Sequence, residues 1–256
     1  MSPPRVAVVI PSRDRPVLLA RAVRSALQPG IDEVVVVDDG SDPPAALPER
    51  GDHRLRVVRQ PEGVRGVSAA RNRGIAECRA SHVAFLDDDD RLAPLAGLWF
   101  RHRASRLGED RIAVGAVLVE RPWQRPRLRR PPSSRPGEIW GLDRHLLLGG
   151  RDFATKQAAL LPRRVLEQAG GWDDALRSRV TSELFFRLSA AFPVEGHSWP
   201  VYRLNRGPHG KLTGDPALRE RSASYLREKH AALLSDPARR TAFEENHAGM
   251  LQRTSR

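Results

Sequence analysis

Lysine is nearly missing from this sequence: Lys156, Lys211 and Lys229 are the only three among 43 basic residues. Arginine therefore carries almost all of a positive balance that reaches a formal net charge of +12, a skew that fits GC-rich coding. The balance admits nucleic acid, anionic lipid or phosphorylated small molecules as partners without choosing among them. Aromatic residues are also few, at 5%, and the arginines are dispersed rather than interleaved with them. Stacking platforms need that interleaving, so nucleic acid is the weakest partner class. Cysteine occurs once, at Cys78, which excludes an intrachain disulfide and agrees with a reducing compartment. With no base suggested beside it, Cys78 reads as a small buried hydrophobe. No apolar run approaches the roughly 18 residues of a membrane span, and the opening Met1-Ser2-Pro3-Pro4-Arg5 lacks an h-region. The expectation is a cytoplasmic protein with no membrane span.

What remains, 40% hydrophobic and 29% charged residues, is an ordinary globular composition. A chain of 256 residues holds one sizeable core, or one domain with a small appendage. The first ninety residues alternate β-branched runs with helix-period segments, the pattern of a parallel sheet buried on both faces. Strands are expected at Val6–Ile10, Glu33–Val37, Leu55–Val58 and His82–Leu86. Pro16–Leu27 puts Leu19, Ala22, Val23, Ala26 and Leu27 on one stripe, with Pro16 opening a helix and Pro29-Gly30 closing it. Val67–Cys78 reads as a second crossover helix, Leu95–Leu107 as a third, and Ile112–Val119 as a further strand.

Arg121–Arg135 then holds six arginines and four prolines, which forbids a regular helix or a central strand and leaves a loop or hinge. It is either a solvated basic connector or a flap that touches acceptor or donor phosphate. Beyond it, Phe153–Leu161 is a strand candidate, Pro162–Ala169 a short helix closed by Gly170-Gly171, and Ser182–Ala191 a helix. Pro216–Leu234 and Pro237–Leu251 read as closing helices. No internal repeat is present.

Three of the expected strands end in polar clusters: Pro11-Ser12-Arg13-Asp14, Asp38-Asp39-Gly40-Ser41-Asp42 and Asp87-Asp88-Asp89-Asp90. In open parallel sheets ligands bind at that edge, where loop amides and helix N-termini converge. Four bare aspartates in a row would repel one another strongly. Mg²⁺ or Mn²⁺ would relieve this, since both favour carboxylate oxygens and bridge to substrate phosphates. Asp87 and Asp89 are the metal or donor candidates, whereas Asp90 reads as a cap for the next helix.

The stretches Val6–Arg15, Glu33–Ser41, Ala70-Arg71-Asn72-Arg73-Gly74 and Phe85–Asp90 together resemble the large inverting family 2 of GT-A glycosyltransferases. The resemblance is specific over about the first ninety-five residues. It implies an α/β fold with a mainly parallel, Rossmann-like sheet flanked by helices, followed by a helical C-terminal extension. It divides the chain into a GT-A domain at 1–205, with a nucleotide-binding half at 1–95 and an acceptor half at 96–205, and a C-terminal loop and helices at 206–256. The implied activity is transfer of a sugar from a UDP-, TDP- or GDP-sugar to a small-molecule, glycan or peptide acceptor, with Mn²⁺ or Mg²⁺ as cofactor. By the same resemblance Pro11 and Arg13 line the nucleoside pocket, Asp39 holds the base edge, and Arg71 lies beside the base or ribose. Asp87 and Asp89 match the outer members of the DxD motif, with Asp89 the metal ligand and Asp87 nearer the sugar or ribose. Asp88 takes the variable middle place.

Downstream the resemblance weakens. Ala169-Gly170-Gly171-Trp172-Asp173 resembles the segment under the donor sugar and acceptor. Aligning Glu183–Leu188 with the family's following helix puts Val180-Thr181 where an acidic pair, including the usual catalytic base, is expected. An inverting transfer needs a base for the acceptor proton. Glu183 is the nearest replacement, although a first-turn glutamate also suits a helix dipole; Asp173 and Asp174 stand in reserve. In Asn205–Lys211, His209 could complete the metal shell, and Arg206 and Lys211 could neutralise the departing diphosphate; a surface turn is the plain alternative. Two rivals remain. A sugar-phosphate nucleotidyltransferase would carry a glycine-rich loop after the first strand, and Pro11–Pro16 has no glycine. A non-catalytic nucleotide-sugar-binding protein would account for the missing acidic pair.

Overall fold

A computed structural model describes residues 3–47, 51–131, 138–141, 152–207 and 215–252. Among these, strands β1 (Val6–Ser12), β2 (Glu33–Asp38), β3 (Leu55–Arg59) and β4 (His82–Phe85) form the first half of one sheet. Helices α1 (Pro16–Ala26) and α2 (Val67–Glu77) supply the crossovers. The sheet continues through β5 (Arg91–Leu92), β6 (Ile112–Glu120), β9 (Ala159–Pro162) and β10 (Val194–Asn205), in the order β3-β2-β1-β4-β9-β6-β10-β5. Short strands β7 (Arg127–Arg129) and β8 (Ile139–Trp140) pair with β6 and β10. The four longest ladders, β1 with β2, β1 with β4, β2 with β3 and β6 with β10, are all parallel. Strand β9 runs antiparallel to both β4 and β6 and joins the two parallel halves. Helices α3 (Ala96–Leu107), α4 (Arg163–Gln168), α5 (Val180–Ala191), α6 (Pro216–Lys229) and α7 (Pro237–Gln252) complete the described chain.

Side-chain alternation splits the core in two. Val6, Val8 and Ile10 of β1 join Val34 and Val36 of β2 on the face covered by α1 and α3. Ala7, Val9, Val35 and Val37 turn to the face covered by α2, α4 and α5. Because both faces are dry, β1 and β2 read as unbroken apolar runs rather than alternating ones. Helix α2 lies close on β1: a Cβ on Gly74 would come within 2.2 Å of Val9 Cγ1. A third, small cluster of Leu176, Phe186, Leu226, Leu234, Ala242 and Phe243 fastens α6 and α7 to α5.

Four expectations need correction. The Arg121–Arg135 stretch is not all loop, because its prolines still leave Arg127–Arg129 free to add an edge strand to β6. Phe153–Leu161 is not one strand: Asp152–Ala158 turns as a 3-10 helix and β9 begins only at Ala159. The proposed Pro216–Leu234 helix ends at Lys229, and a separate 3-10 turn spans Leu233–Ser235. Strand β10 was not anticipated, because Val194–Asn205 mixes Glu195, His197 and Arg203 with apolar residues and contains Pro200.

Candidate functional site

Strand order reverses between β1 and β4: β2 and β3 build outward on one side of β1, and β4 returns to the other side, parallel to β1. The loops after β1 and β4 therefore meet at the carboxyl edge, the usual place for a ligand in an open parallel sheet. Ser12 donates to Asp88 Oδ2 at 2.8 Å, and Arg15 Nη1 lies 3.1 Å from Asp88 Oδ1 and 3.7 Å from Asp89 Oδ2. Burial raises the Asp88 carboxyl above the ordinary range, opposed by the Ser12 hydrogen bond and the Arg15 charge.

Asp90 does not cap α3. Its Oδ1 accepts from the Asn205 amide at 2.7 Å and its Oδ2 from the Tyr202 hydroxyl at 2.8 Å. Tyr202 in turn accepts from the Asp87 amide at 3.2 Å. One buried phenol on β10 thus latches the acidic loop at two points. Burial first, then the neighbouring Asp87 charge, pushes the Asp90 carboxyl well up. The four aspartates escape mutual repulsion by dividing: Asp88 and Asp90 are buried and turned into the protein, while Asp87 and Asp89 remain partly open.

The loop after β2 divides its carboxylates similarly. Asp38 accepts from the amides of Ser41 and Ala45 at 2.8 and 3.1 Å and from Arg59 at 3.0 Å, so it shapes the loop. Asp39 reaches across to the start of α2, where both its oxygens lie 3.0 Å from the Gly66 amide. Burial raises the Asp39 carboxyl; the Gly66 hydrogen bond and the charges of Arg13, Arg65 and Arg177 oppose the rise. Three arginines from three loops thus surround this carboxylate. Pro11 is buried in β1 opposite Val37, while Arg13 is exposed and pairs with Asp14 at 3.3 Å.

Arg71, on α2, is buried against the acidic loop. Its Nη2 donates to Asp87 Oδ1 at 2.6 Å, and its guanidinium lies 4.2 Å from the Trp172 ring centre. Trp172 in turn meets Phe85 edge to face at 5.1 Å. The Arg71 Nε and Nη1 and the Trp172 Nε1 are buried without a hydrogen-bond partner. Buried donors normally have partners, so three orphans at one place make this a candidate ligand surface. Between them lies a narrow pocket bordered by Asp87, Lys156, Thr181 and Phe185, with a free volume of about 10 Å³, enough for roughly one water or hydroxyl.

The Gly170-Gly171-Trp172-Asp173-Asp174 turn is clamped from two sides. Asn72 donates to the Trp172 carbonyl and accepts from its amide, both at 2.8 Å, and also donates to Asp174 at 3.2 Å. On the other side Arg187 donates to the carbonyls of Ala169 and Gly171 while Glu183 holds its guanidinium at 2.8 and 2.6 Å. Glu183 has no exposed surface and also meets Lys229 at 2.9 Å and His230 at 3.3 Å. Burial alone would raise its carboxyl, but hydrogen bonds from His230, Arg187 and Lys229 outweigh it and hold Glu183 far below the ordinary range. Asp173 accepts from Tyr225 at 2.9 Å, from the Ala175 amide at 2.9 Å and from Lys229.

The structure therefore brings Pro11, Arg71, Asp87, Asp88 and Asp89 together around the β1 and β4 loops, with Asp39 and Arg13 at the adjoining β2 edge. Glu183 and Asp173 lie on the far side of the Trp172 turn, tied to α6. His209 and Lys211 fall outside the described residues. Tyr202, Arg15, Trp172 and Lys156 were not singled out as site residues from the sequence. Arg15 and Trp172 carried a signal, since both sit inside the quoted motifs; Tyr202 and Lys156 lie in segments whose form was misjudged. Among the described residues no group of three or more His, Cys, Asp or Glu is arranged to hold a metal ion. No described helix is long and apolar enough to cross a membrane.

Fold and candidate site together define an α/β protein with a polar carboxyl edge, carrying buried unpaired donors, where the order of its parallel strands reverses. Residues 7–169 match the family described as glycosyl transferase family 2, and the chain belongs to that family. It is similar to the pre-mycofactocin glycosyltransferase of Mycobacterium tuberculosis, with 31% identity over 193 residues, 73% of this chain and 39% of that protein. Succinoglycan biosynthesis protein ExoU of Rhizobium meliloti is 42% identical over 98 residues, 36% of this chain and 28% of its own. The chain thus spans well under half the length of both relatives. Among solved structures, S. aureus TarS 1-349 superposes with a TM-score of 0.62 at 14% identity, covering 94% of this chain and 70% of that one. The same protein in complex with UDP-GlcNAc gives a TM-score of 0.60, also at 14% identity, covering 86% and 66%. At that identity the likeness is one of fold, and the GT-A expectation holds.

Proposed function

We propose that the protein transfers a sugar from a nucleoside-diphosphate sugar to an acceptor hydroxyl, with inversion at the anomeric carbon. The observation that carries this reading is Arg71: a buried guanidinium, stacked on Trp172 and paired with Asp87, whose remaining donors have no partner in the protein. A nucleotide's ribose or phosphate oxygens would satisfy them. Arg13, Arg65 and Arg177 around Asp39 supply positive potential for the diphosphate. The UDP-GlcNAc complex of the similarly folded TarS makes UDP-sugars the first donors to try.

The donor set also fits a divalent cation. Mg²⁺ is usually held by one or two carboxylates together with substrate phosphates and water rather than by a full protein cage. Asp89, partly open beside the Asp87–Arg71 pair, is that kind of ligand. The cation would offset the negative charge that develops on the departing diphosphate. Asp88 and Asp90 hold the loop, and Ser12, Arg15 and Tyr202 hold those two in turn.

Glu183 and Asp173 are poorly suited to taking the acceptor proton. Each is already paired with cationic partners that lower its proton affinity, far below the ordinary range for Glu183, and a carboxylate so held is a weaker base. With Val180-Thr181 in place of an acidic pair, a nucleotide-sugar-binding protein without turnover is the second reading. Calorimetry with UDP, TDP and GDP, in Mn²⁺ and in EDTA, tests the site; binding should be at least tenfold tighter with Mn²⁺. Equal affinity in EDTA would remove the cation from the proposal. Release of nucleoside diphosphate from a panel of sugar donors separates transferase from binder, and release of pyrophosphate would point to nucleotidyl transfer.

A further inference from the structure

We propose that the hairpin formed by β6 and β7 docks on an anionic lipid surface, with the Trp123 ring seated among the headgroups and the arginines around it on lipid phosphates. The inference does not depend on the glycosyl-transfer reading above. Strand β6 ends at Glu120 and β7 spans Arg127–Arg129, with Val117 opposite Arg129, Leu118 opposite Leu128 and Val119 opposite Arg127. Residues 121–126 form the tip.

Backbone geometry singles out Trp123. The Gln124 amide donates to the Arg121 carbonyl at 3.3 Å and closes a turn whose central residues are Pro122 and Trp123. Trp123 is the second of these, at a φ of 60°, where a turn of that hand favours glycine. A bulky side chain is an outlier in that region. Its ring is fully exposed, so no packing within the described fold offsets the strain. Strain kept at an unpacked residue points to something that the indole meets outside the protein.

Charge says what that is. Arg121, Arg125, Arg127, Arg129 and Arg130 are all exposed, and no acidic residue interrupts 121–131. Glu120, the nearest carboxylate in sequence, is already held by Arg91 and Arg203. Indole favours the headgroup layer of a bilayer, which accommodates both its apolar ring and its N–H. Each arginine beside an anionic leaflet strengthens the attraction roughly fivefold. Leu128, also exposed, extends the apolar contact. A nucleic acid would call for a row of aromatics, and this hairpin has one.

The hairpin leaves the sheet on the side of the candidate site. Strand β9 is antiparallel to both β4 and β6, so β6 runs in the direction of β1 and β4 and ends at the same carboxyl edge as the acidic loop. The Arg206 amide donates to the Glu120 carbonyl at 2.8 Å, and its side chain lies within electrostatic reach of Arg121 and Arg129 as well as of Asp89 and Asp90. Docking through Trp123 turns that edge towards the lipid.

Sedimentation of the full chain with vesicles tests the proposal. Vesicles of phosphatidylglycerol and phosphatidylcholine in equal parts should bind the protein about tenfold or more better than phosphatidylcholine alone. Trp123→Gly places the favoured residue in the turn, so its melting temperature should hold while its partitioning falls about tenfold or more. Arg127→Gln with Arg129→Gln should lose about as much. Arg21→Gln with Arg106→Gln removes the same charge from exposed positions on α1 and α3 and should lose no more than about threefold. Tryptophan emission should shift to the blue on the anionic vesicles, and Trp123→Gly should lose that shift. Equal binding to both kinds of vesicle, or Trp123→Gly partitioning within about twofold of wild type, would overturn the proposal. Equal losses from the two arginine pairs would also overturn it, leaving bulk charge as the cause. So would a wild-type protein that ignores vesicles and binds a single-stranded oligonucleotide through Trp123, which would make the hairpin a nucleic-acid arm.

Discussion

Arg71 is the residue on which the proposed site turns, since one guanidinium stacks on Trp172, pairs with Asp87 and leaves its buried Nε and Nη1 without a hydrogen-bond partner. Lysine could keep the charge but neither the planar stack nor the fork. Arg71→Lys should weaken UDP binding about tenfold or more, with the melting temperature little changed; isothermal titration beside a thermal melt checks both. Glu183 carries the opposite expectation. Its partners Arg187, Lys229 and His230 would be left without their anion by Glu183→Ala, and breaking such a buried pair costs about 3–5 kcal/mol. Urea unfolding should show that loss. Because the folded carboxyl is held below its unfolded value of about 4.3, its stabilisation is fully present above that pH and is lost as pH falls. The melting temperature of wild type should therefore drop between about pH 5 and 3 more steeply than that of Glu183→Gln.

At the scale of elements, β10 does what no sequence motif announced. It carries Tyr202 under the acidic loop, and that hydroxyl serves both the Asp87 amide and Asp90. Two hydrogen bonds at about 0.5–1.5 kcal/mol each set the cost of Tyr202→Phe at roughly 1–3 kcal/mol. Loosening the loop should also blunt the Mn²⁺ enhancement of UDP binding, measured by calorimetry with and without EDTA, while metal-free affinity changes little. If the enhancement survives intact, the latch is structural only. The β6–β7 hairpin shows a smaller version of the same lesson. Arginine and proline content ruled out a helix or a central strand, and an edge strand is what remained open to the chain.

Across the whole molecule, the two C-terminal helices act on the site from behind. Tyr225, Lys229 and His230 of this region reach Asp173 and Glu183, and Phe243 packs on Phe186 and under Arg179. Phe243→Ala should cost about 3–5 kcal/mol as a buried aromatic truncation. Hydrogen exchange should then rise in α5 and the Trp172 turn as well as in α7. Exchange confined to α7 would mean that the helices are an independent cap.

Local sequence determined the first half of this protein, because each signal there is short-range. Apolar runs of β1, β2 and β4, the Pro16 helix start and the three acidic strand ends can all be read within a few residues. The same motifs sufficed for the family, and the structure sets their Asp39, Arg71, Asp87 and Asp89 at the carboxyl edge of the sheet. Only tertiary structure decided which aspartates turn inward, because that depends on Ser12, Tyr202 and the Asn205 amide, the last two over a hundred residues away. It also decided that Glu183 is a buried ion-pair member. Its neighbour in sequence, Arg187, was visible, but Lys229 and His230 arrive from another helix and supply the charge that suppresses its basicity.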